Sequence, residues 1–290
     1  MDFLYARSWD EALAAKAQRP DAVPISGGTD LMVELNFDRR RPAALLDLNG
    51  VAELTRWQRV DGQVRIGAAV PYTRIIDEIG PLVPGLAIAS RTVGSPQIRN
   101  RGTLAGNLAT ASPAGDALPP LVVADARVQI ASARGERTVA VHDFFLGAKR
   151  SVLEADELIR GVLVPLADGP QQFAKVGTRN AMVIAVCSFA LALHPQRRGV
   201  AGCIGSAGPT VLPTPDAERF LCDELADAGL WDSRAELDEA VAARFGALAA
   251  AHARPIDDVR GSAAYRRHAV AVLARRTLQW AWSEYRTAPR

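Results

Sequence analysis

Two short stretches hold the residues whose types and spacing could do chemistry. The first is Ser26-Gly27-Gly28-Thr29-Asp30, which follows the apolar Pro24-Ile25 and runs into Leu31. The second spans residues 98–120, IRNRGTLAGNLATASPAGDALPP, and reads as one long polar loop punctuated by Gly102, Gly106 and Gly115. Thr103, Asn107, Thr110 and Ser112 supply short hydrogen-bonding side chains there, and Asp116 supplies a carboxylate. Small residues let a ligand approach the backbone, because no Cβ stands in the way. Successive free N–H groups in such a loop form a concave nest for an anion such as phosphate. The same residues also make plain surface turns. A polar connection of this length, however, tends to be functional or disordered.

The elements around the first stretch suit an anion site. A short strand is expected over 21–25 and a helix over 31–37. The glycines permit the tight turn between them, and Thr29 or Asp30 can cap the helix. The free N–H groups of that helix start would then face a phosphate. Two such loops, far apart in sequence, suit one ligand with a long phosphate-bearing body, such as a dinucleotide. Neither loop contains G-x-G-x-x-G or G-x-x-x-x-G-K-[ST], so no motif supports a nicotinamide-dinucleotide or nucleoside-triphosphate site.

Taken together, SGGTDL (26–31) and TLAGNLATASPAGDALPP (103–120), with the preceding IRNRG, resemble the FAD-binding subunit of molybdenum hydroxylases. That family includes bacterial xanthine dehydrogenases and the medium subunit of carbon monoxide dehydrogenase. The resemblance continues through PAALLDLNGVAEL (42–54) and DVRGSAAYRRHAVAVLARRTL (258–278), and so covers nearly the whole chain. It implies an α+β protein. A two-part FAD-binding domain of the PCMH (vanillyl-alcohol-oxidase-like) type would occupy 1–167, with subdomains of about 1–55 and 56–167. A C-terminal domain over 171–287 would follow.

The resemblance also implies site residues. Pro24, Ile25, Ser26, Gly27, Gly28, Thr29, Asp30 and Leu31 would hold the FAD diphosphate together with Gly102, Thr103, Leu104, Ala105, Gly106 and Asn107, with Thr110 nearby. Asp116 matches a position that contacts the cofactor, and its carboxylate suits a ribose or adenosine hydroxyl. It could equally cap a helix at Ala117-Leu118. Val93 and Ile159 match apolar positions that line the flavin or adenine pocket, although core packing would explain them as well. Lys175 matches a basic position near the isoalloxazine, where a cation would stabilise the anionic reduced form. A solvated strand lysine is the alternative. Ala105 stands where the family commonly has a second glycine. A negative φ there would make the methyl harmless, whereas a positive one would shift the loop and weaken FAD. Thr29-Asp30 leans toward the xanthine dehydrogenase branch.

The activity so implied is electron relay. A separate large subunit would hold the molybdenum cofactor, and a small subunit would hold two [2Fe–2S] clusters. This chain would take electrons onto non-covalent FAD and pass them to NAD or another acceptor, within a dimer of heterotrimers. A stand-alone flavin oxidase is one alternative, although it would often use a covalent flavin link through His or Cys, and no histidine lies in either loop. A scaffold protein that has lost FAD is another, and Ala105 keeps it open.

Composition narrows the classes further. The 290 residues are 49% apolar with net charge +2, and no concentrated basic patch points to nucleic acid. No apolar run is long enough to span a bilayer. The N-terminus lacks a signal-peptide pattern, so a cytoplasmic protein is expected. Cys187, Cys203 and Cys222 are widely spaced with no C-x-x-C, which disfavours a cluster or zinc site in this chain. Cys187 lies in an apolar run and reads as a core thiol. The four histidines, His142, His194, His252 and His268, are not spaced as a metal pair.

Further elements must position the loops. Ser8 caps an expected helix over 9–16. A strand is expected over 44–47, and a hairpin over 57–60 and 63–66 around Asp61-Gly62. Helices are expected over 71–79 and 82–93, with a helical turn from Pro119 to Ala124. A second hairpin joins 128–131 to 137–141, a helical turn opens at Phe144-Phe145, and a strand covers 158–164. After a boundary at 167–170 come strands over 173–176, 183–193 and 200–206, and then helices over 216–225, 235–250 and 262–285. In the last helix, Tyr265, Ala269, Leu273, Thr277 and Trp280 share a face at helical spacing. That order predicts a three-stranded antiparallel sheet with helices on one face.

Overall fold

The computed structural model describes residues 1–289. Three larger sheets follow one another along the chain, with a two-stranded hairpin set within the stretch of the second. The first is parallel, in order β1-β3-β2, and uses β1 (Asp2–Tyr5), β2 (Val23–Ile25) and β3 (Ala44–Asp47). Helices α1 (Trp9–Gln18) and α2 (Leu31–Asn36) connect these strands. Ser8 caps α1 by accepting a hydrogen bond from the Glu11 N–H at 3.2 Å.

The second sheet is antiparallel. It joins β4 (Trp57–Val60), β5 (Gln63–Gly67), β6 (Arg127–Ser132), β7 (Gly135–Ala140) and β10 (Leu158–Pro165), in order β4-β5-β10-β6-β7. Asp61 and Gly62 both adopt positive φ, +48° and +75°, the geometry that a tight hairpin demands. Between β5 and β6 run α3 (Tyr72–Glu78), α4 (Pro84–Thr92), α5 (Pro96–Arg99), α6 (Leu104–Thr110) and α7 (Leu118–Val123). The segment 98–120 is therefore not one loop. Leu104 and Leu108, four residues apart, are both buried and anchor α6 in the core, while its polar residues lie elsewhere on the helix. Phe144 and Phe145 do not open a helical turn. Phe144 is wholly buried, and its neighbours form a small hairpin of β8 (Phe145–Gly147) and β9 (Arg150–Ser151).

The third sheet holds β11 (Gln171–Val176), β12 (Cys187–His194), β13 (Gly199–Gly205) and a two-residue edge strand, β14 (Leu212–Pro213), too short to show any alternation. Helices α8 (Pro215–Asp227), α9 (Leu230–Ser233), α10 (Glu239–Ala251) and α11 (Ala263–Thr287) follow. Asp238 caps α10 through the Ala240 N–H at 2.7 Å, which sets its start later than the sequence pattern suggests. All eight residues of β12 are buried, because the sheet is covered on both sides. Cys187, Phe189, Leu191 and Leu193 enter the core beneath α8, α10 and α11. Ala190 and Ala192 face the first core, where α4 and α7 pack closely on the sheet. A strand buried on both faces reads as a continuous apolar run.

The buried face of α11 includes Ala269, Leu273, Thr277, Leu278, Ala281 and Trp282. Tyr265 and Trp280 are each 48% exposed. Steps of four from Tyr265 reach the buried Ala269, Leu273, Thr277 and Ala281, whereas Trp280 lies one residue off that row and Tyr265 sits in the exposed first turn.

Candidate functional site

At the end of β2 the chain turns through Ser26–Asp30 into α2. Gly28 takes φ +72°, which suits glycine. Gly27 has no room for a side chain, since a Cβ there would lie 2.0 Å from the Arg101 carbonyl oxygen. The backbones of the two glycine stretches are thus in direct contact. Hydrogen bonds hold them together. Thr110 Oγ1, at the end of α6, donates to Asp30 Oδ2 at 2.8 Å. Asn49 Nδ2 donates to the Ser26 carbonyl at 3.1 Å and to Asp47 Oδ1 at 2.6 Å. Neither Thr29 nor Asp30 caps α2 with its side chain. The Asp30 carboxylate is engaged by Thr110 across the site instead. Pro24 is exposed, while Ile25 and Leu31 are half-buried on either side of the turn.

The second stretch is held from below. The Gly102 carbonyl accepts from the Tyr72 N–H at 3.0 Å, and Thr103 pairs with Pro71. Thr103 Oγ1 caps α6 through the Gly106 N–H at 3.0 Å. Ala105 is the second residue of that helix, has no positive φ and is buried. Its methyl therefore strains nothing. Gly106 is exposed in the first turn. Asn107 lies against Gly115, where a Cβ would come within 2.8 Å of its Oδ1. From the C-terminal part, the Ser206 N–H donates to the Pro113 carbonyl at 2.8 Å and steadies the chain after α6.

A buried ion pair closes the other end. Asp116 Oδ2 accepts from Lys175 Nζ at 2.5 Å and from Thr92 Oγ1 at 3.0 Å. Lys175 also donates to the carbonyls of Thr92 at 2.9 Å and Val183 at 3.2 Å. All three of its ammonium hydrogens have acceptors, so Lys175 braces the site rather than presenting a free donor. Asp116 is not a helix cap: α7 has no side-chain cap. Burial pushes the Asp116 carboxyl above its usual range, and Lys175 pulls against that shift. Burial also raises the Tyr72 phenol, with the Asp116 charge adding to the effect. Val93 sits half-buried at the end of α4, and its carbonyl accepts from Arg99 Nη1 at 3.1 Å. Ile159 is buried opposite Ile130 in the first core.

Among the buried polar atoms without partners in the described residues, three belong to this region: Asn107 Oδ1, Asp116 Oδ1 and the Tyr72 hydroxyl. Such groups are costly unless something hydrogen-bonds to them. They mix donor and acceptor capacity, as a hydroxyl-rich ligand requires, and they adjoin a glycine-lined backbone cradle. This set fits FAD, with its diphosphate, ribose and ribityl hydroxyls. Thr92, Tyr72 and Asn49 are absent from the sequence-derived set. Thr92 and Tyr72 lie in helices and carry no motif. The Asn49-Gly50 turn after β3 offered the one usable signal. Among the described residues no group of three or more His, Cys, Asp or Glu side chains could hold a metal. No described helix is long and apolar enough to cross a membrane.

Residues 1–167 match the family described as FAD binding domain in molybdopterin dehydrogenase. Residues 172–281 match the CO dehydrogenase flavoprotein C-terminal domain. The chain is 33% identical to the nicotine 6-hydroxylase medium subunit of Paenarthrobacter nicotinovorans, over 89% of each chain. It is 35% identical to the nicotinate dehydrogenase FAD-subunit of Eubacterium barkeri, over 70% of this chain and 74% of that one. Its fold superposes on quinoline 2-oxidoreductase from Pseudomonas putida 86 with a TM-score of 0.89 and 26% identity, covering 99% and 98% of the two chains. The fused glycine turns and the polar atoms left without partners thus have their context: the chain belongs to the FAD-binding medium subunits of the molybdenum hydroxylase family.

Proposed function

We propose that this subunit takes electrons from [2Fe–2S] clusters of a small partner subunit and passes them to NAD or another acceptor. A large partner would carry the molybdenum cofactor, in a cytoplasmic dimer of heterotrimers. Relatives named for nicotine, nicotinate and quinoline favour an N-heteroaromatic substrate for the holoenzyme. Bound FAD supplies the redox centre, and the chain supplies position and electrostatics. The observation that carries the reading is the contact between Gly27 and the Arg101 carbonyl, which makes one cradle of two distant loops.

In this reading Gly27, Gly28, Gly102 and the α6 start hold the diphosphate. Pro24, Ile25, Ser26, Thr29 and Leu31 shape the first wall. Leu104 and Ala105 anchor the second, and Thr103 orders the first turn of α6 for Gly106. Thr110 and Asp30 tie the two walls together. Asn107, Asp116 and Tyr72 meet cofactor hydroxyls. Lys175 positions Asp116, and Val93 and Ile159 provide the apolar side. The FAD-binding part would end near residue 167, with its subdomains divided near residue 55, and the C-terminal part would cover 171–287.

The test is an absorbance spectrum of the purified chain before and after acid precipitation. Flavin released into the supernatant, with reduction only when the partner subunits and their substrate are present, is the expected result. Flavin retained in the pellet would point to a covalent oxidase. A colourless chain that takes up no added FAD would overturn the reading.

A further inference from the structure

Away from the glycine loops, the five-stranded sheet carries a hollow of about 130 Å³. Arg56, Arg65, Arg160 and Trp9 line it, with Glu53 and Gly67. The register explains how they meet. Arg65 and Gly67 alternate with the buried Val64 and Ile66, so they lie on the outer face of β5. A Cβ on Gly67 would stand 2.3 Å from the Leu54 carbonyl oxygen, so glycine lets the 54–56 backbone lie directly on the strand and wall the hollow. Arg56 flanks Gly67 on one side, its carbonyl accepting the Gly67 N–H at 3.0 Å. Arg160 flanks it on the other, its carbonyl accepting the Ala68 N–H at 3.1 Å.

These groups are short of acceptors. Arg160 pairs with Glu136. Among the described residues Arg56 and Arg65 have no carboxylate partner and Glu53 forms no ion pair. Burial and the neighbouring Arg160 charge both push the Arg65 guanidinium down, although Glu136 offsets part of this. Trp9 is 7% exposed, and its indole Nε1–H is buried with no acceptor. Arginine side chains donate and cannot accept, so an acceptor-rich guest suits the hollow. Guanidinium groups match the paired oxygens of phosphate.

We propose that this hollow binds a small oxyanion of the phosphate class, held by Arg65 and Arg56. The site shares no residue with the proposed FAD cradle, and the inference does not rest on the electron-relay reading. The test is calorimetric titration of inorganic phosphate into the full chain with FAD bound, so that the glycine loops are filled, at constant ionic strength. Saturable binding of one phosphate per chain is expected. Arg65→Gln should weaken it about tenfold, the loss of one charge-assisted hydrogen-bonding group. Arg59→Gln, which removes a charge on the same hairpin outside the hollow, should leave it unchanged. If Arg65→Gln loses its FAD absorbance or cooperative unfolding, Arg56→Gln provides the same comparison. The absence of saturable binding, or equal binding by the arginine variants and the parent chain, would overturn the proposal.

Discussion

The C-terminal helices and the glycine-lined cradle are stabilised in different ways. Around α10 and α11 the core is side-chain packing. Phe189 meets Phe245 edge-on at 6.2 Å, and Trp231, Trp282 and Tyr285 form a cluster with centroids 5.3–5.8 Å apart. The cradle instead depends on backbone contact at Gly27, on the Thr110–Asp30 hydrogen bond and on the Asp116–Lys175 pair. The first region gains its stability from apolar area removed from water. The second leaves buried polar atoms without protein partners and relies on a few directional contacts. Lys175 links the two, since it belongs to β11 of the third sheet but bonds Asp116 and Thr92 of the cradle.

Two changes should therefore disturb the molecule in different places. Phe245→Ala should destabilise the chain by about 3–5 kcal/mol, as deletion of a wholly buried ring does. Urea unfolding would measure that loss, and the fraction still folded should bind FAD normally. FAD loss ahead of unfolding would show that the regions are not separable. Lys175→Met should cost a similar ~3–5 kcal/mol, because it strands a buried carboxylate. Its deficit should shrink as pH falls and Asp116 takes up a proton, and Asp116→Asn in the same chain should restore part of the stability. FAD affinity should fall in Lys175→Met, unlike Phe245→Ala.

A smaller effect is expected at Glu78, on the exposed side of α3. Hydrogen bonds from Arg74, and then from Trp57, lower its carboxyl to about 2. A carboxylate with a lowered folded value stabilises the fold above its unfolded value and loses that contribution as pH falls through the folded one. Glu78→Gln should therefore lower the urea midpoint near neutral pH, and the gap to the parent chain should narrow below about pH 4.5 and close as pH falls through about 2. A gap independent of pH would remove the ion pair from the account.

Much of this was legible in the sequence, for physical reasons. The Asp61-Gly62 hairpin, the Ser8 cap and the continuous apolar run of β12 each express a local rule. The helix α6 was hidden because its polar and glycine residues look like a loop, and only the buried Leu104 and Leu108 betray it. Ala105 looked hazardous beside Gly106, yet it is an ordinary helical residue. What sequence could not supply was long-range geometry. Nothing local says that Gly27 touches Arg101, that Asp30 answers Thr110, or that Thr92 shares Asp116 with Lys175. Those contacts depend on how β2, α4, α6 and β11 are brought together.

The most direct test of the central claim is FAD binding to Gly27→Ala, followed by flavin fluorescence quenching beside the parent chain, with urea unfolding as the control. A methyl there must displace the Arg101 carbonyl. Overpacking of this kind costs ~1–3 kcal/mol, so FAD affinity should fall about tenfold or more while the C-terminal core still unfolds cooperatively. If Gly27→Ala binds FAD as tightly as the parent chain, contact between the two loops is not what holds the cofactor.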